Sequence, residues 1–161
     1  MSSQLPIVRQ IAWISVLPQL AILIGIIAIC RRLNAERFVL LAALLYLAIS
    51  VGVRNALTRH HRRGMHLFKE ERFADAIPCF ERSYSFFTAH SWIDKWRYLI
   101  LLSSSRISYR EMALLNTAFC YAQIGNGSKS LELYERTLHE FPGSKLAETA
   151  LRLLRSAKGV A

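Results

Sequence analysis

The sequence predicts an all-α protein: a helical membrane hairpin followed by a small helical domain. Three observations carry that expectation. Charge is segregated along the chain, the front contains apolar runs of membrane-spanning length, and the back shows helical periodicity with no period-two alternation. A positive mean hydropathy of +0.24 beside a net charge of +10 is an uncommon pairing in 161 residues. Segregation resolves it. Residues 11–30 and 38–53 contain no charged side chain, whereas 17 of the 21 Lys and Arg and 10 of the 11 Asp and Glu lie from Arg54 onward. The length suits an anchor, over about 1–54, plus one small domain, over 55–161.

The first apolar run, Ile11 to Cys30, is twenty residues, or about 30 Å as a helix, which matches a bilayer's hydrocarbon thickness. Pro18 and Gln19 interrupt it mildly, since neighbouring helices can satisfy a freed carbonyl. A cleaved signal peptide is disfavoured, because the run is too long and Arg31-Arg32-Leu33-Asn34 offers no small-residue cleavage site. The second run, Phe38 to Val53, is sixteen residues, ten of them Leu, Ile, Val or Phe. Those ten contribute roughly 3–6 kcal/mol of insertion free energy. Arg37 and Arg54 can snorkel from its ends, and Ala56 and Leu57 can extend it.

Only Arg31 to Arg37 separate the runs, so a tight antiparallel hairpin is expected. Ala21-x3-Gly25 and Ala48-x3-Gly52 are small-residue pairs that would let backbones approach, within the hairpin or between copies in a homo-oligomer. Orientation follows the cations beside the spans. Arg9, Arg54, Arg59, Arg62 and Arg63 on one side outnumber Arg31, Arg32 and Arg37 on the other. Both termini are thus expected in the cytoplasm, at a bacterial inner membrane.

Beyond Arg54 the apolar spacing becomes that of packed amphipathic helices. Leu67, Phe68, Phe73, Ala76, Ile77 and Phe80 form a stripe broken by Lys69-Glu70-Glu71-Arg72, which predicts a turn between two antiparallel helices. Met112 to Ile124 predicts another helix, stopped by Gly125-Asn126-Gly127. Ser128 is the expected N-cap of the next, which runs through Phe141 to the break at Pro142-Gly143. Ser144 then caps a final helix over Lys145 to Ser156.

Overlaying the two helix pairs exposes a repeat. Gly64-x2-Leu67-x8-Ala76-x3-Phe80 recurs as Ala118-x2-Tyr121-x8-Ser130-x3-Tyr134. This pattern resembles the tetratricopeptide (TPR) family, whose helix–turn–helix unit takes small, large, small and aromatic residues at those offsets. Gly64 with Ala76, and Ala118 with Ser130, are expected where paired helices approach most closely. The resemblance covers roughly 57–88 and 111–144, with 145–156 as the capping helix. It departs from the family in lacking the early Trp and in spacing its units 54 residues apart, so that about 89–106 is an insert.

The insert contains Ser91-Trp-Ile-Asp-Lys-Trp-Arg-Tyr-Leu-Ile-Leu-Leu102, which as one helix would align Ile93, Trp96, Leu99 and Ile100. Two readings fit it: an interfacial helix with Trp92, Lys95, Trp96 and Arg97 among headgroups, or an ordinary helix packed on the repeat core. The former would join Arg54, Arg59, Arg62 and Arg63 as a membrane-interface set, with anionic lipids as partners.

The TPR resemblance implies a concave groove lined by the first helix of each unit. The positions are Thr58, His61, Met65 and Phe68, then Met112, Leu115, Asn116, Phe119 and Gln123. Several could instead be core contacts to the insert. Grooves that grip chaperone carboxylates need Lys and Asn at defined places, and only Asn116 fits, so an apolar or helical segment of a protein partner is the better match.

No catalytic residues, cofactor or metal site are expected. The sequence contains no Ser/His/Asp set, carboxylate pair or phosphate-cradling glycine loop. His60, His61 and His66 stand among Arg62 and Arg63, which oppose a cation. Cys30, Cys79 and Cys120 lack a C-x-x-C spacing and read as buried apolar residues. Nucleic acid is disfavoured, because the domain's cations are interspersed with ten acids. The expected function is therefore a membrane-anchored, non-catalytic adaptor or assembly factor binding a protein partner. The competing expectation is a lipid-surface or membrane-remodelling protein.

Overall fold

The computed structural model describes residues 16–32, 38–101, 103 and 105–158, and every regular element among them is a helix. The chain forms two compact units, one of residues up to Ala56 with Lys95–Ile107, the other of Leu57–Asp94 with Ser108 onward.

In the first unit, α1 covers Val16–Arg32 and α2 covers Val39–Leu57. Among the described residues, α2 is the one helix long and apolar enough to cross a membrane: 19 residues, about 28 Å, with mean hydropathy 1.8 and 6% of its span buried. Leu40, Leu41, Leu44 and Leu45 are each more than half exposed, on more than one face of the helix. Two spans were expected, and among the described residues one helix meets that length and apolarity. Residues 11–15 of the expected first span, and 33–37 of the joining loop, lie outside the described residues. Among the described residues of the single chain, a Cβ added at Gly25 or Gly52 would meet nothing within 4 Å.

The insert also departs from expectation. It is two short helices, α5 (Ser91–Lys95) and α6 (Arg97–Ile100), broken at Trp96, and not one amphipathic helix. Its later part belongs to the first unit, where α6 packs against α1. Arg97 holds the returning chain there, donating to the carbonyls of Arg106 at 2.9 Å and Ser105 at 3.3 Å while its guanidinium covers the Tyr98 ring.

The second unit contains α3 (Arg59–Lys69), α4 (Phe73–Ala89) and α5 as far as Asp94, then α7 (Tyr109–Gln123), α8 (Gly127–Glu140) and α9 (Lys145–Lys158). Neighbours along this array pack as α3 on α4, α4 on α7, α7 on α8 and α8 on α9. The 54-residue offset read from the sequence recurs in the element bounds. Lys69 and Gln123 end the first helices, while Phe73 and Gly127 begin the second.

Even the helix stops correspond. After α3, Arg72 N donates to Leu67 O and Glu71 N to Phe68 O; after α7, Asn126 N donates to Tyr121 O and Gly125 N to Ala122 O. Both are Schellman closures, which need a left-handed residue at the turn. Gly125 supplies it with φ +80°, but in the first pair Glu71 adopts φ 59° against its side chain's preference. Glu71→Gly is therefore expected to raise the unfolding free energy by about 1 kcal/mol, measured by chemical denaturation in detergent.

The core follows the same repeat. Ala76, Phe80, Ala118 and Ser130 are fully buried, and Tyr134 nearly so. Ser130, standing where the first pair has Ala76, buries a hydroxyl that makes no hydrogen bond among the described residues. Ser130→Ala removes that desolvated group, so a gain of about 1 kcal/mol is expected in the same measurement.

Two sequence-predicted caps are corrected. Asn126, not Ser128, caps α8, its side chain accepting from Lys129 N at 3.1 Å. Ser144 precedes α9, yet its buried hydroxyl makes no hydrogen bond among the described residues.

Candidate functional site

The first helices of the two pairs adjoin on one side of the array. Met65 on α3 meets Asn116 on α7, with the Asn116 amide donating to the Met65 sulfur at 3.4 Å. One turn further along, Phe68 and Phe119 have ring centroids 5.2 Å apart, and Phe73 closes on Phe119 at 6.1 Å. Met65, Phe68, Met112, Asn116 and Phe119 are half-buried and Gln123 is exposed. These six of the nine sequence-nominated groove positions form or flank a shared surface of thioether, aromatic and amide groups. Such side chains adapt to an apolar or helical segment without a fixed charge pattern.

The other three nominated residues lie elsewhere. Thr58 is 2% exposed, His61 7% and Leu115 8%, so each faces the interior. Helical offset alone grouped them with the groove; the packing of α3 on α4, and of α7 on its neighbours, turned them inward. His61 stands edge-on to Phe80 at 5.6 Å and to Tyr109 at 5.3 Å, with its Nδ1 3.4 Å from the buried Ser83 hydroxyl. Burial pushes its pKa down to about 4, so the ring is neutral at pH 7.

The membrane-interface set is distributed between the two units. Arg59, Arg62 and Arg63 are exposed on α3, and Arg54 is exposed in the last turn of α2. Trp92 is 58% exposed in the second unit, while Lys95 and the 54% exposed Trp96 belong to the first. Arg97 is half-buried and engaged with the carbonyls that it braces.

Two arrangements escaped the sequence reading. Asp94, which helical counting placed off the apolar face, is 4% exposed and closes the front of α7. Its two carboxylate oxygens accept from Tyr109 N at 2.9 Å and Arg110 N at 3.1 Å, while Ser108 Oγ accepts from Glu111 N. Three of the four unpaired amides at a helix start are thereby satisfied by side chains. Asp94→Ala is expected to cost about 2 kcal/mol, read by denaturation, and to raise amide exchange in the first turn of α7. Ser108-x2-Glu111 was legible as a cap signal; Asp94, fourteen residues earlier, gave none.

The second arrangement joins α4, α7 and α8. Glu140 accepts from the Tyr84 hydroxyl at 2.8 Å, Arg110 at 2.8 Å and Arg136 at 2.9 Å, and Arg136 also donates to the Tyr84 oxygen. Burial alone would raise the Glu140 pKa, but the Tyr84 hydroxyl and the two guanidiniums prevail and hold it below its ordinary value. The groups bind one another and brace the array, while Arg110 Nε is buried with no hydrogen bond among the described residues.

Among the described residues no three His, Cys, Asp or Glu are placed to hold a metal ion. Cys79 and Cys120 are buried free thiols, and burial pushes the Cys120 pKa up to about 12, which leaves it unreactive. Comparison with family models, with characterised proteins and with solved structures gives no match.

Proposed function

We propose that this chain is a membrane-anchored, non-catalytic adaptor whose TPR-like array binds an apolar or helical segment of a protein partner. One observation carries the reading: the first helices of both pairs adjoin through Met65–Asn116 and Phe68–Phe119, giving a continuous surface of adaptable side chains. The 54-residue correspondence of helix ends and Schellman closures supports the likeness to tandem helix–turn–helix repeats. In this reading α2 crosses the bilayer, α1 with the residues before it supplies the second limb of a hairpin, and both termini face the cytoplasm of a bacterium. The hairpin could also bring copies of the chain together.

A photo-crosslinking residue placed at Met112 or Gln123 of the full-length protein in native membranes tests the groove. A discrete adduct is expected from both positions, absent when the probe stands at Thr149 on α9 and lost when Phe119→Asp is added. Equal labelling at Thr149, or adducts indifferent to Phe119→Asp, would refute the adaptor reading. An export-dependent reporter fused after Ala161 tests sidedness, with no activity expected.

A further inference from the structure

We infer that the exposed face of α3 docks on anionic phospholipid headgroups of the membrane that α2 enters, by charge alone and without inserting apolar side chains. The inference rests on α2 lying in the bilayer, and not on the identity or existence of a protein partner.

The first observation is how α3 divides. Arg59, Arg62, Arg63, His66 and Lys69 recur every three or four residues and are all exposed. The opposite side is already occupied. His61 and Gly64 are buried there, Met65 and Phe68 are half-buried, and Phe80 of α4 lies across Gly64. An amphipathic helix that binds membranes by insertion needs its apolar side free. Here that side packs on α4 and, through Met65 and Phe68, adjoins Asn116 and Phe119 of α7, so the cationic side remains as an electrostatic surface.

The second observation is where the charge excess sits. Residues 54–69 carry five Lys or Arg and no Asp or Glu, while residues 70–161 carry twelve against ten. Half of the chain's net charge of +10 therefore lies in sixteen residues. The acid that closes the run, Glu70, is occupied by His66 at 3.2 Å and Arg72 at 3.7 Å. Arg82 on α4 adds to the same field. After burial, the charges of Arg59, Arg82 and Arg63 are what lower the pKa of His60.

The third is proximity along the chain. α2 ends at Leu57 and α3 begins at Arg59, with Thr58 alone between them. Two residues reach at most about 7 Å, so the first cation of the face lies within headgroup distance of the end of the span. A juxtamembrane cluster of this kind meets the negative surface potential of an anionic leaflet, and the attraction decays within a Debye length. Charge complementarity and tethering together select the lipid over a soluble polyanion.

The test uses the full-length protein in detergent, titrated with phosphatidylglycerol or phosphatidylcholine and read by native mass spectrometry. The wild type is expected to retain phosphatidylglycerol about tenfold better, and to lose most of that preference between 50 and 300 mM salt. Replacing Arg59, Arg62, Arg63 and Lys69 together with glutamine is expected to reduce the preference to under about threefold, while lysine at the three arginine positions keeps it. Arg31→Gln with Arg32→Gln serves as a control and is expected to retain at least half of it. A preference that survives glutamine replacement, that ignores salt, or that vanishes only in the Arg31/Arg32 control overturns the inference. Displacement of the lipid by an equimolar short RNA would assign the face to nucleic acid and overturn it as well. Should the glutamine variant misfold, the lysine variant and the salt series on the wild type decide. A chain released from vesicles by carbonate ends the reading of α2 as a span; a carbonate-resistant chain without lipid preference ends this inference alone.

Discussion

Gly64→Val is expected to destabilise the helical array by about 3 kcal/mol. A Cβ at position 64 would lie 2.8 Å from Phe80 Cε1 and 2.9 Å from Cδ1, nearer than Cβ atoms come in real structures, and a tight 3.1 Å from Cζ. The ring cannot move aside cheaply, because Phe80 is fully buried between His61 and Phe68. Alanine tests the same contact with an opposing term. In a helix interior Gly→Ala ordinarily gains about 1 kcal/mol, so a net loss in Gly64→Ala measures overpacking larger than that gain. Phe80→Leu should recover part of the loss, making the two substitutions less costly together than the sum of each alone. Additive behaviour in a denaturation cycle would show that the close approach of α3 and α4 does not depend on this contact.

Acidification from pH 6.5 to 4 is expected to remove roughly 3 kcal/mol of stability through His61. The unfolded chain's imidazole takes a proton at its ordinary 6.5, whereas the folded ring resists until about 4. Between those values the unfolded state binds the extra proton, so stability falls by about 1.4 kcal/mol per pH unit and levels off below pH 4. Glu140 acts in the same direction but lower. Its depressed pKa gives stability that is present above its ordinary 4.5 and lost as pH falls through the folded value. The interval from 6.5 to 4.5 therefore isolates the histidines. The paired variant His61→Phe with Ser83→Ala keeps an aromatic ring in the cage and leaves no orphaned hydroxyl. It is expected to lose most of the slope across that interval, measured by denaturation at half-unit steps, the remainder belonging to His60, whose pKa burial and neighbouring arginines also lower. A slope equal to that of the wild type would place the proton uptake elsewhere.

How much of this was legible in advance depends on the range over which each feature is determined. The turn at Lys69 to Arg72, the stop at Gly125 and the repeat joining Gly64 to Ala118 follow from spacing and local backbone preference, and the helices end where that spacing puts them. Caps were less legible. Several polar residues near α8 could each serve, and the geometry of the preceding turn chose Asn126 over Ser128. The insert misled because its apolar spacing suits one helix, yet the chain breaks at Trp96, and Asp94, two residues earlier, is seated beneath α7.

By itself the sequence determined that the chain is helical, that its charge begins where its apolar runs end, and that two helix pairs recur 54 residues apart. Those are properties of composition and period, set by neighbours within a few turns. Tertiary structure alone decided that His61 and Leu115 face inward while Met65, Phe68, Asn116 and Phe119 share a surface, and that Asp94 and Glu140 each serve helices distant in sequence. Helical period establishes which residues share a face. What that face meets depends on how the helices pack, and burial of apolar area with pairing of polar groups is settled only when the whole array closes.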